Sequence, residues 1–261
     1  MHFARQGSLY VPHMQPQFRR PGGGAVATAV DMMCQFGGST DGTAITTALL
    51  NAATLGGLPG GTWNNVSPSA ATSQKFATSA HMAVNGFAVS GAGNPDATTL
   101  GYDIAMNSGS PRYLEYSFTA ISQFSLGFAF MLGAGFSSFS YYSFDFAMIV
   151  AGADYFAFNF SNTPANAANA HSAAGKGPDI GLAPSTPYWV LMRFNQNGTL
   201  YLDIYNLSTK ALVGSSTITL TNNAATSIRF GHPSNVGATV ATSNIFDGIV
   251  IKTGNPILLP T

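Results

Sequence analysis

Charged side chains are scarce in this chain. Lys, Arg, Asp and Glu make up 8% of its 261 residues, and Glu115 is the only glutamate. Average proteins carry about 25% charged residues, so this chain must stay soluble through Asn, Ser, Thr and backbone groups, or bury its surface against other chains. The scarcity limits acid–base catalysis and favours a protein that assembles with other subunits.

Several classes of partner are excluded by what else is missing. The ten Lys and Arg residues are scattered and the net charge is zero, so the chain has no basic stripe for a nucleic acid. No apolar run reaches the roughly 20 residues of a membrane-spanning helix, and the N-terminus has no signal-peptide core. We therefore expect no nucleic acid partner, no membrane insertion and no export.

Motifs for metals, cofactors and nucleophiles are also missing. Cys34 is the only cysteine, which excludes an internal disulfide framework and a four-cysteine zinc site. The five histidines are scattered, at His2, His13, His81, His171 and His232. No His-Glu-x-x-His or Gly-x-Ser-x-Gly motif occurs, so we expect no metal, no cofactor and no enzyme, although a triad built from distant residues stays open.

Apolar and turn-forming residues, in contrast, are abundant. The apolar content of 46%, with 19 Phe and 10 Tyr, is enough for a sizeable core and argues against disorder of the whole chain. The 29 Gly and 14 Pro are spread widely and show no collagen period. Because glycine and proline interrupt regular structure, their frequency predicts many short strands rather than long helices.

The first 25 residues differ from the rest. Pro12, Pro16 and Pro21 are spaced among aromatic and basic residues and are followed by three glycines, a pattern that favours an extended segment with a hinge. We predict an extended N-terminal arm over 1–25 and a folded domain over 26–261, with a floppy tail as the alternative to the arm. The residues of the arm that would contact other subunits are Phe3, Arg5, Tyr10, Phe18, Arg19 and Arg20.

The sequence predicts strands from residue 113 onward, where apolar and polar residues alternate. Period two over 113–120 predicts a half-buried strand. Further strands are predicted at 124–132, 144–150, 155–160, 188–194, 199–205, 211–220, 226–231 and 245–251. Residues 26–100 are irregular, with one short helix predicted over 44–53 and a strand that begins at Trp63. Nine or more antiparallel strands imply a β-sandwich.

The hairpin between 188–194 and 199–205 supplies the candidate binding surface. Asn197-Gly198 predicts a tight turn with positive φ angles. In the return strand Leu200, Leu202 and Ile204 should face the core, with Tyr201, Asp203 and Tyr205 on the opposite side. Because tyrosine offers both a ring and a hydroxyl, these three outward residues are candidates for binding a glycan, or they face a neighbouring subunit.

The strand sequences at 188–194, 200–205, 212–216, 228–231 and 245–251 resemble the second half of the concanavalin A-like lectin/glucanase jelly roll, in its laminin-G-like bacterial and phage variants. Asp41-Gly42-Thr43 and Gly61-Thr62-Trp63 are similar to the opening strands of such domains. The resemblance covers about residues 26–256. It implies an all-β, two-sheet antiparallel jelly-roll sandwich, a fold that hosts enzymes, lectins and passive scaffolds.

Two functional sites of this superfamily can be tested against the sequence. Its glycoside hydrolases use a strand with two glutamates separated by an aspartate, and a chain with Glu115 alone cannot present that motif. Some relatives bind calcium through Asp and Asn on adjacent loops. The residues of the right type here are Asp145, Asp154, Asn159 and Asn162. They form no dense acidic loop, so turn capping is favoured over a metal site.

Two functions follow from the resemblance and the composition. The first is a non-enzymatic virion protein of a tailed phage, a capsid decoration, head fibre or tail component, made in the host cytoplasm and anchored by its arm to other virion subunits and to copies of itself. The second is a carbohydrate-binding module or lectin that recognises a cell-surface glycan. The two functions are compatible if a virion protein binds host glycans.

Overall fold

The computed structural model describes residues 27–36, 39–65, 74–89, 100–106, 112–133, 143–161, 167–232 and 242–261. The predicted arm, residues 1–25, lies outside the described residues. The described part is a two-sheet antiparallel β-sandwich of the jelly-roll type, which confirms the predicted fold class.

Sheet I carries the hairpin that was singled out in the sequence. In spatial order it contains β17 (Leu212–Thr219), β16 (Thr199–Asn206), β15 (Tyr188–Asn195), β9 (Gln123–Leu132), β19 (Thr242–Thr253), β2 (Met32–Cys34) and β3 (Thr54–Gly56). Two further strands extend it beside the first half of β19, β7 (Gly101–Met106) and β5 (Gln74–Ala77). Every pairing within sheet I is antiparallel.

Sheet II packs face to face against sheet I. Its spatial order is β13 (Gly175–Lys176), β12 (Ala167–Ser172), β11 (Asp154–Ser161), β10 (Ser143–Ala151), β18 (Ala225–His232), β8 (Arg112–Ile121) and β4 (Thr62–Asn65), with β14 (Ile180–Gly181) also paired to β12. The core between the sheets is aromatic: Phe128 meets Phe230 with ring centroids 5.4 Å apart, and Phe130 meets Phe146 at 5.1 Å. Such edge and tilted ring contacts add to the free energy of burial.

A third layer covers the outer face of sheet I, which the sequence did not predict. It contains β1 (Thr28–Val30) and β6 (Phe87–Val89), which pair in parallel, and the C-terminal tail 254–261. Phe87 and Leu258 pack in this layer against Trp189 of β15, forming a second, smaller apolar cluster. Sheet I is therefore covered on both of its faces where β15 runs. This agrees with the burial of successive side chains along β15.

Local turn and helix signals explain the remaining elements. The predicted helix is shorter than expected, α1 (Thr47–Ala52), because Thr46 caps it: the Thr46 side chain accepts a hydrogen bond from Leu49 N. In the hairpin, Asn197 takes the positive φ of 57°. Gly198 is required for space, since a Cβ there would lie 2.3 Å from Nδ2 of Asn195.

Candidate functional site

The predicted glycan-binding face lies on the outer side of sheet I, between β15 and β17. Leu200, Leu202 and Ile204 are fully buried in the core, as predicted. On the opposite side, Tyr201 pairs with Arg193 of β15, and Asp203 pairs with Ser215 of β17. Side chains from the three adjacent strands β15, β16 and β17 therefore lie next to one another on this face. The register of the strands sets which side chains are neighbours.

Asp203 is buried by its neighbours, which corrects the expectation that it points freely outward. Its carboxylate is only 9% exposed, because Arg193 Nη2 donates to Oδ2 at 2.9 Å and Ser215 Oγ donates to Oδ1 at 2.6 Å. The guanidinium of Arg193 also lies 4.3 Å from the ring centroid of Tyr201. Asp203 thus positions Arg193 over Tyr201, and both of its oxygens are already engaged.

The two tyrosines of this face remain half-buried. Burial, and then the nearby charge of Asp203, raise the pKa of Tyr205, so its hydroxyl stays protonated and can both donate and accept a hydrogen bond. What this face offers to a ligand is therefore the half-buried Tyr201 with its arginine, and Tyr205, which also packs against the second apolar cluster.

Glu115 lies on the outer face of sheet II. Its Oε1 accepts hydrogen bonds from Ser227 Oγ at 2.6 Å and from Arg229 Nε at 3.3 Å. Arg229 in turn lies 4.9 Å from the ring centroid of Tyr113. The only glutamate is therefore held in an ion pair on the sheet surface.

A second polar group, which we call the Asp145 cluster, occupies the same outer face on β10, β11 and β12. A register shift between Asp145 and Ala147 turns both Phe146 and Ala147 into the core and leaves Asp145 outward. Asp145 Oδ1 accepts from Asn159 Nδ2 at 2.8 Å and faces His171 Nδ1 at 3.1 Å. The carboxylate is only 7% exposed, whereas the His171 side chain is 29% exposed.

The Asp145 cluster continues onto the next row of the sheet. Asn169 pairs with Asn159 across β11 and β12, and its Nδ2 donates to Asp179 Oδ1 at 2.9 Å. Lys176 Nζ donates to both oxygens of Asp179 at 3.2 Å. The ring of Tyr155 meets that of His171 edge-on at 5.7 Å, and burial, followed by the charge of Asp145, raises the pKa of the Tyr155 hydroxyl.

The structure does not bring the three described calcium candidates, Asp145, Asp154 and Asn159, together at one place. Asp145 and Asn159 are neighbours, but Asp154 lies at the opposite end of the β10–β11 hairpin, where it pairs with Ala151, and Asn162 lies outside the described residues. In the part of the chain that the structure describes, no group of three or more His, Cys, Asp or Glu side chains is placed to hold a metal ion.

Asp247 is a buried carboxylate on β19 of sheet I, and it contacts the segment that precedes β6. Its Oδ2 accepts from Met82 N at 2.7 Å and contacts His81 Nδ1 at 3.0 Å, and its Oδ1 accepts from Gly248 N at 2.8 Å. Burial raises the pKa of Asp247 against the opposing effect of these bonds. The group fastens the segment before β6 to a bulge in β19, a structural task.

Other ionisable groups are equally occupied. Burial raises the pKa of the Cys34 thiol to about 12, so it remains a neutral apolar side chain. Asp31 borders an open cleft of about 360 Å³. Both of its oxygens are taken, by Lys252 Nζ at 2.6 Å and by Thr253 N at 2.7 Å and Oγ1 at 2.6 Å.

The structure brings together Tyr201, Asp203 and Tyr205, which were chosen from the sequence. The six arm residues lie outside the described residues: Phe3, Arg5, Tyr10, Phe18, Arg19 and Arg20. The sequence reasoning did not single out Arg193, Asn169 or the pairing of His171 with Asp145. No helix among the described residues is long and apolar enough to cross a membrane.

Comparisons with known proteins complete the description. No protein-family model matches the chain, and no curated protein matches it. It is similar to the solved receptor binding domain of botulinum neurotoxin type G, with 9% identity and a TM-score of 0.45 over 76% of this chain and 44% of that one. The enzymatically active domain of bacteriophage CBA120 tailspike protein 2 gives 12% identity and a TM-score of 0.46 over 77% of this chain and 30% of that one. A Trypanosoma rangeli sialidase gives 9% identity and a TM-score of 0.42 over 63% of this chain and 28% of that one. The chain spans less than half the length of each of these three structures.

Proposed function

We propose that the chain is a non-enzymatic structural protein of a tailed-phage virion, a capsid decoration, head fibre or tail component with a concanavalin A-like jelly roll. The observation that carries this proposal is how the carboxylates of the sandwich are used. Glu115 and Asp203 are each paired with an arginine on the same sheet, and Asp145 and Asp247 are each paired with a histidine. Hydrolysis by paired carboxyls needs both of them to face a substrate, whereas Glu115 and Asp203 are each held by an arginine.

The arm supplies the attachment in this proposal. Residues 1–25 contain three arginines and no Asp or Glu, and residues 26–261 contain seven basic and ten acidic side chains. The arm thus has a formal charge of +3 and the remainder −3. Opposite charges favour binding of the arm to the sandwich of a neighbouring copy or to other virion subunits, with Arg19 and Arg20 meeting carboxylates or carbonyls.

The apolar residues of the arm point to the same role. Fixing a backbone costs roughly 1–2 kcal/mol per residue, and burying a large apolar side chain returns about 1.5–3 kcal/mol. Phe3, Tyr10 and Phe18 alone cannot offset that cost over some twenty residues. Main-chain pairing with a partner strand is therefore part of the proposed attachment.

The test uses purified particles and a deletion variant. An antibody against the sandwich should label particles from the source, and deletion of residues 2–20 should abolish incorporation while the near-ultraviolet circular dichroism of the sandwich is unchanged. Arg19→Gln with Arg20→Gln should reduce incorporation, and the matched pair Arg193→Gln with Arg229→Gln should not. Unlabelled particles, or incorporation of the deletion variant at wild-type occupancy, would refute the proposal.

The second candidate function is glycan binding, and one observation favours it. Tyr201 and Tyr205 are half-buried on an outer sheet face and flank an ordered Arg193–Asp203 pair, a mixture of ring and polar groups suited to sugar hydroxyls. A glycan array should show binding that Tyr201→Ala with Tyr205→Ala removes. Tyr113→Ala is the matched control, because Tyr113 also lies under an arginine, on the other sheet.

A further inference from the structure

An open cleft of about 360 Å³ lies where the third layer meets the loop between β3 and β4. Its walls are the apolar side chains of Val30, Leu58 and Val89, and the exposed residues at its mouth are Gly57, Pro59 and Thr253. This volume is at the lower end of the range of ligand pockets. The cleft therefore has room for one large side chain rather than for an extended ligand.

The polar groups around the cleft are engaged within the fold. Both carboxylate oxygens of Asp31 are bound, as described above. The carbonyl oxygen of Asp31 accepts from Gly57 N at 3.0 Å, and that of Pro59 accepts from Thr119 N at 2.8 Å. What the cleft offers is therefore apolar surface, and an apolar or aromatic side chain is the group that fits it.

The arm, residues 1–25, contains a segment of this kind. Leu9, Tyr10 and Val11 are its only three consecutive large apolar residues, and Pro12 follows them. A residue before proline favours an extended conformation, and successive side chains of an extended segment point in opposite directions. Tyr10 would thus project alone on one side, able to bury its ring while its hydroxyl stays in water at the mouth of the cleft.

The direction of β1 leads the arm away from the cleft of its own copy. β1 and β6 are parallel, and the cleft lies at the C-terminal ends of both strands, beside Val30 and Val89. The arm joins β1 at the opposite end, before Thr28. An arm that continues along the line of β1 therefore moves away from its own cleft and towards a neighbouring copy.

The length of the arm favours Tyr10 over Phe18. Tyr10 lies 17 residues before Ala27, the first described residue, and Phe18 lies nine residues before it. Fully extended, these segments reach about 56 Å and about 30 Å. A domain of the size of residues 26–261 has a radius of gyration of about 18 Å, which makes it roughly 45 Å across. Tyr10 can therefore reach the equivalent cleft on an adjacent copy, whereas Phe18 is too close to its own domain.

We infer that Tyr10 of one copy docks in the cleft of a neighbouring copy, against Val30, Leu58 and Val89, and so joins the copies head to tail. The inference rests on the proposed attachment by the arm and names the surface that receives it. The opposite formal charges of the arm and the remainder favour the encounter, and burial of the Tyr10 ring holds the contact. A head-to-tail contact of this kind builds rings or rows of copies.

The experiment is disulfide trapping between full-length variants. Tyr10→Cys mixed with Pro59→Cys should give a cross-linked heterodimer under mild oxidation, because a disulfide forms only where two Cβ atoms come within about 4 Å. Phe18→Cys with Pro59→Cys, and Tyr10→Cys with Ser208→Cys, are the matched controls and should give several-fold less. Ser208 is exposed in the turn between β16 and β17. Native Cys34 is fully buried, so the wild type supplies the background.

Self-association of the full chain gives a second measurement, by sedimentation velocity. Tyr10→Ala should weaken it about tenfold or more, the loss expected when the burial of a large side chain is removed. Tyr113→Ala truncates a half-buried tyrosine on sheet II and should leave it unchanged. Thermal unfolding shows that each variant is folded.

The outcomes separate the cleft from the attachment itself. Cross-linking of Tyr10→Cys to Pro59→Cys above both controls supports the inference. It is overturned if the mixtures show no excess, or if the double variant forms only a disulfide within one chain. If deletion of residues 2–20 abolishes incorporation but no cross-link forms, the attachment stands and the cleft is rejected. If the deletion variant is incorporated normally and the cross-link forms, the attachment to the particle is rejected and the contact between copies stands.

Discussion

The indole Nε1 of Trp189 donates a hydrogen bond of 2.7 Å to the carbonyl oxygen of Leu258. The same ring stacks on Phe87 with centroids 5.4 Å apart and planes inclined by 20°. Trp189 therefore joins sheet I, β6 and the C-terminal tail through one side chain. Because β1 and β6, in the described part of the chain, pair with each other and not with a strand of sheet I, side-chain contacts such as those of Trp189 hold the third layer to the sandwich.

We expect Gly127→Ala to destabilise the protein by about 1–3 kcal/mol, the usual cost of overpacking a core. A Cβ at Gly127 would lie 2.3 Å from Cζ2 of Trp189, so the indole would have to leave its place on Phe87 and Leu258. Urea unfolding measures the change. Gly181→Ala is the matched control, because a Cβ there would meet no atom within 4 Å. Equal stability of the two variants would contradict the role given to Trp189.

Asp247→Asn should lower the free energy of unfolding by about 1–3 kcal/mol, because an amide cannot accept at both positions and one buried N–H would lose its partner. The native carboxylate accepts backbone hydrogen bonds at both oxygens, from Met82 and from Gly248. Asp41→Asn is the control: Asp41 accepts from Thr78 through Oδ1 alone, which an asparagine can reproduce. A larger loss in Asp41→Asn than in Asp247→Asn, in the same urea titration, would count against this account.

The stability of the Asp31 contacts should depend on acid pH. Burial alone would raise the pKa of Asp31, but hydrogen bonds from Lys252 and Thr253 outweigh it and lower the pKa below the ordinary 3.8. A lowered pKa means that the folded state binds the proton less readily than the unfolded state. The stabilisation is therefore complete above about pH 4 and is lost as the pH falls through the folded-state pKa.

The measurement compares thermal unfolding of the wild type and of Asp31→Asn across this range. We expect the wild type to unfold at the higher temperature from pH 7 to about pH 4, and the difference to shrink below pH 4. A constant difference down to pH 2.5 would show that the charge of Asp31 is irrelevant to the contact with Lys252.

Turnover of a β-glucan panel should be absent. Glu115 is the only glutamate, so the chain cannot present the pair of glutamates that hydrolases of this fold use. Oε1 of Glu115 is, in addition, bound by Ser227 and Arg229. Reducing-end assays with long incubation measure this. Hydrolysis that disappears in Glu115→Gln would prove the expectation wrong.

Sheet strands could be predicted from the sequence wherever period two and aromatic residues coincide. The strand expected at 188–194 is β15 (Tyr188–Asn195), and the strand expected at 155–160 is β11 (Asp154–Ser161). β12 (Ala167–Ser172) was not predicted, because its alanines and asparagine have low strand propensity. Pairing with β11 on one side and β13 and β14 on the other creates it.

The third layer and the polar sites were beyond the reach of the sequence for another reason. β1 and β6 are three residues each and pair in parallel across distant parts of the chain, so neither carries a local signal. The alternation of β16 gave the correct face for Asp203, but its burial depends on Arg193 and Ser215 from neighbouring strands. His171 meets Asp145 only through the register of three strands.

The C-terminal tail has a mechanical consequence. Its attachments follow one another along the chain: Gly254 N donates to Gln123 O at 3.0 Å, Pro256 O accepts from Ser125, Leu258 O accepts from Trp189, and Thr261 N donates to Asn85 O at 3.0 Å. A pulling force applied at Thr261 loads these bonds one at a time, as in peeling, whereas the strands of the two sheets share a load across many bonds in parallel. The tail is therefore the first part to yield under tension, and the sandwich beneath it keeps its shape.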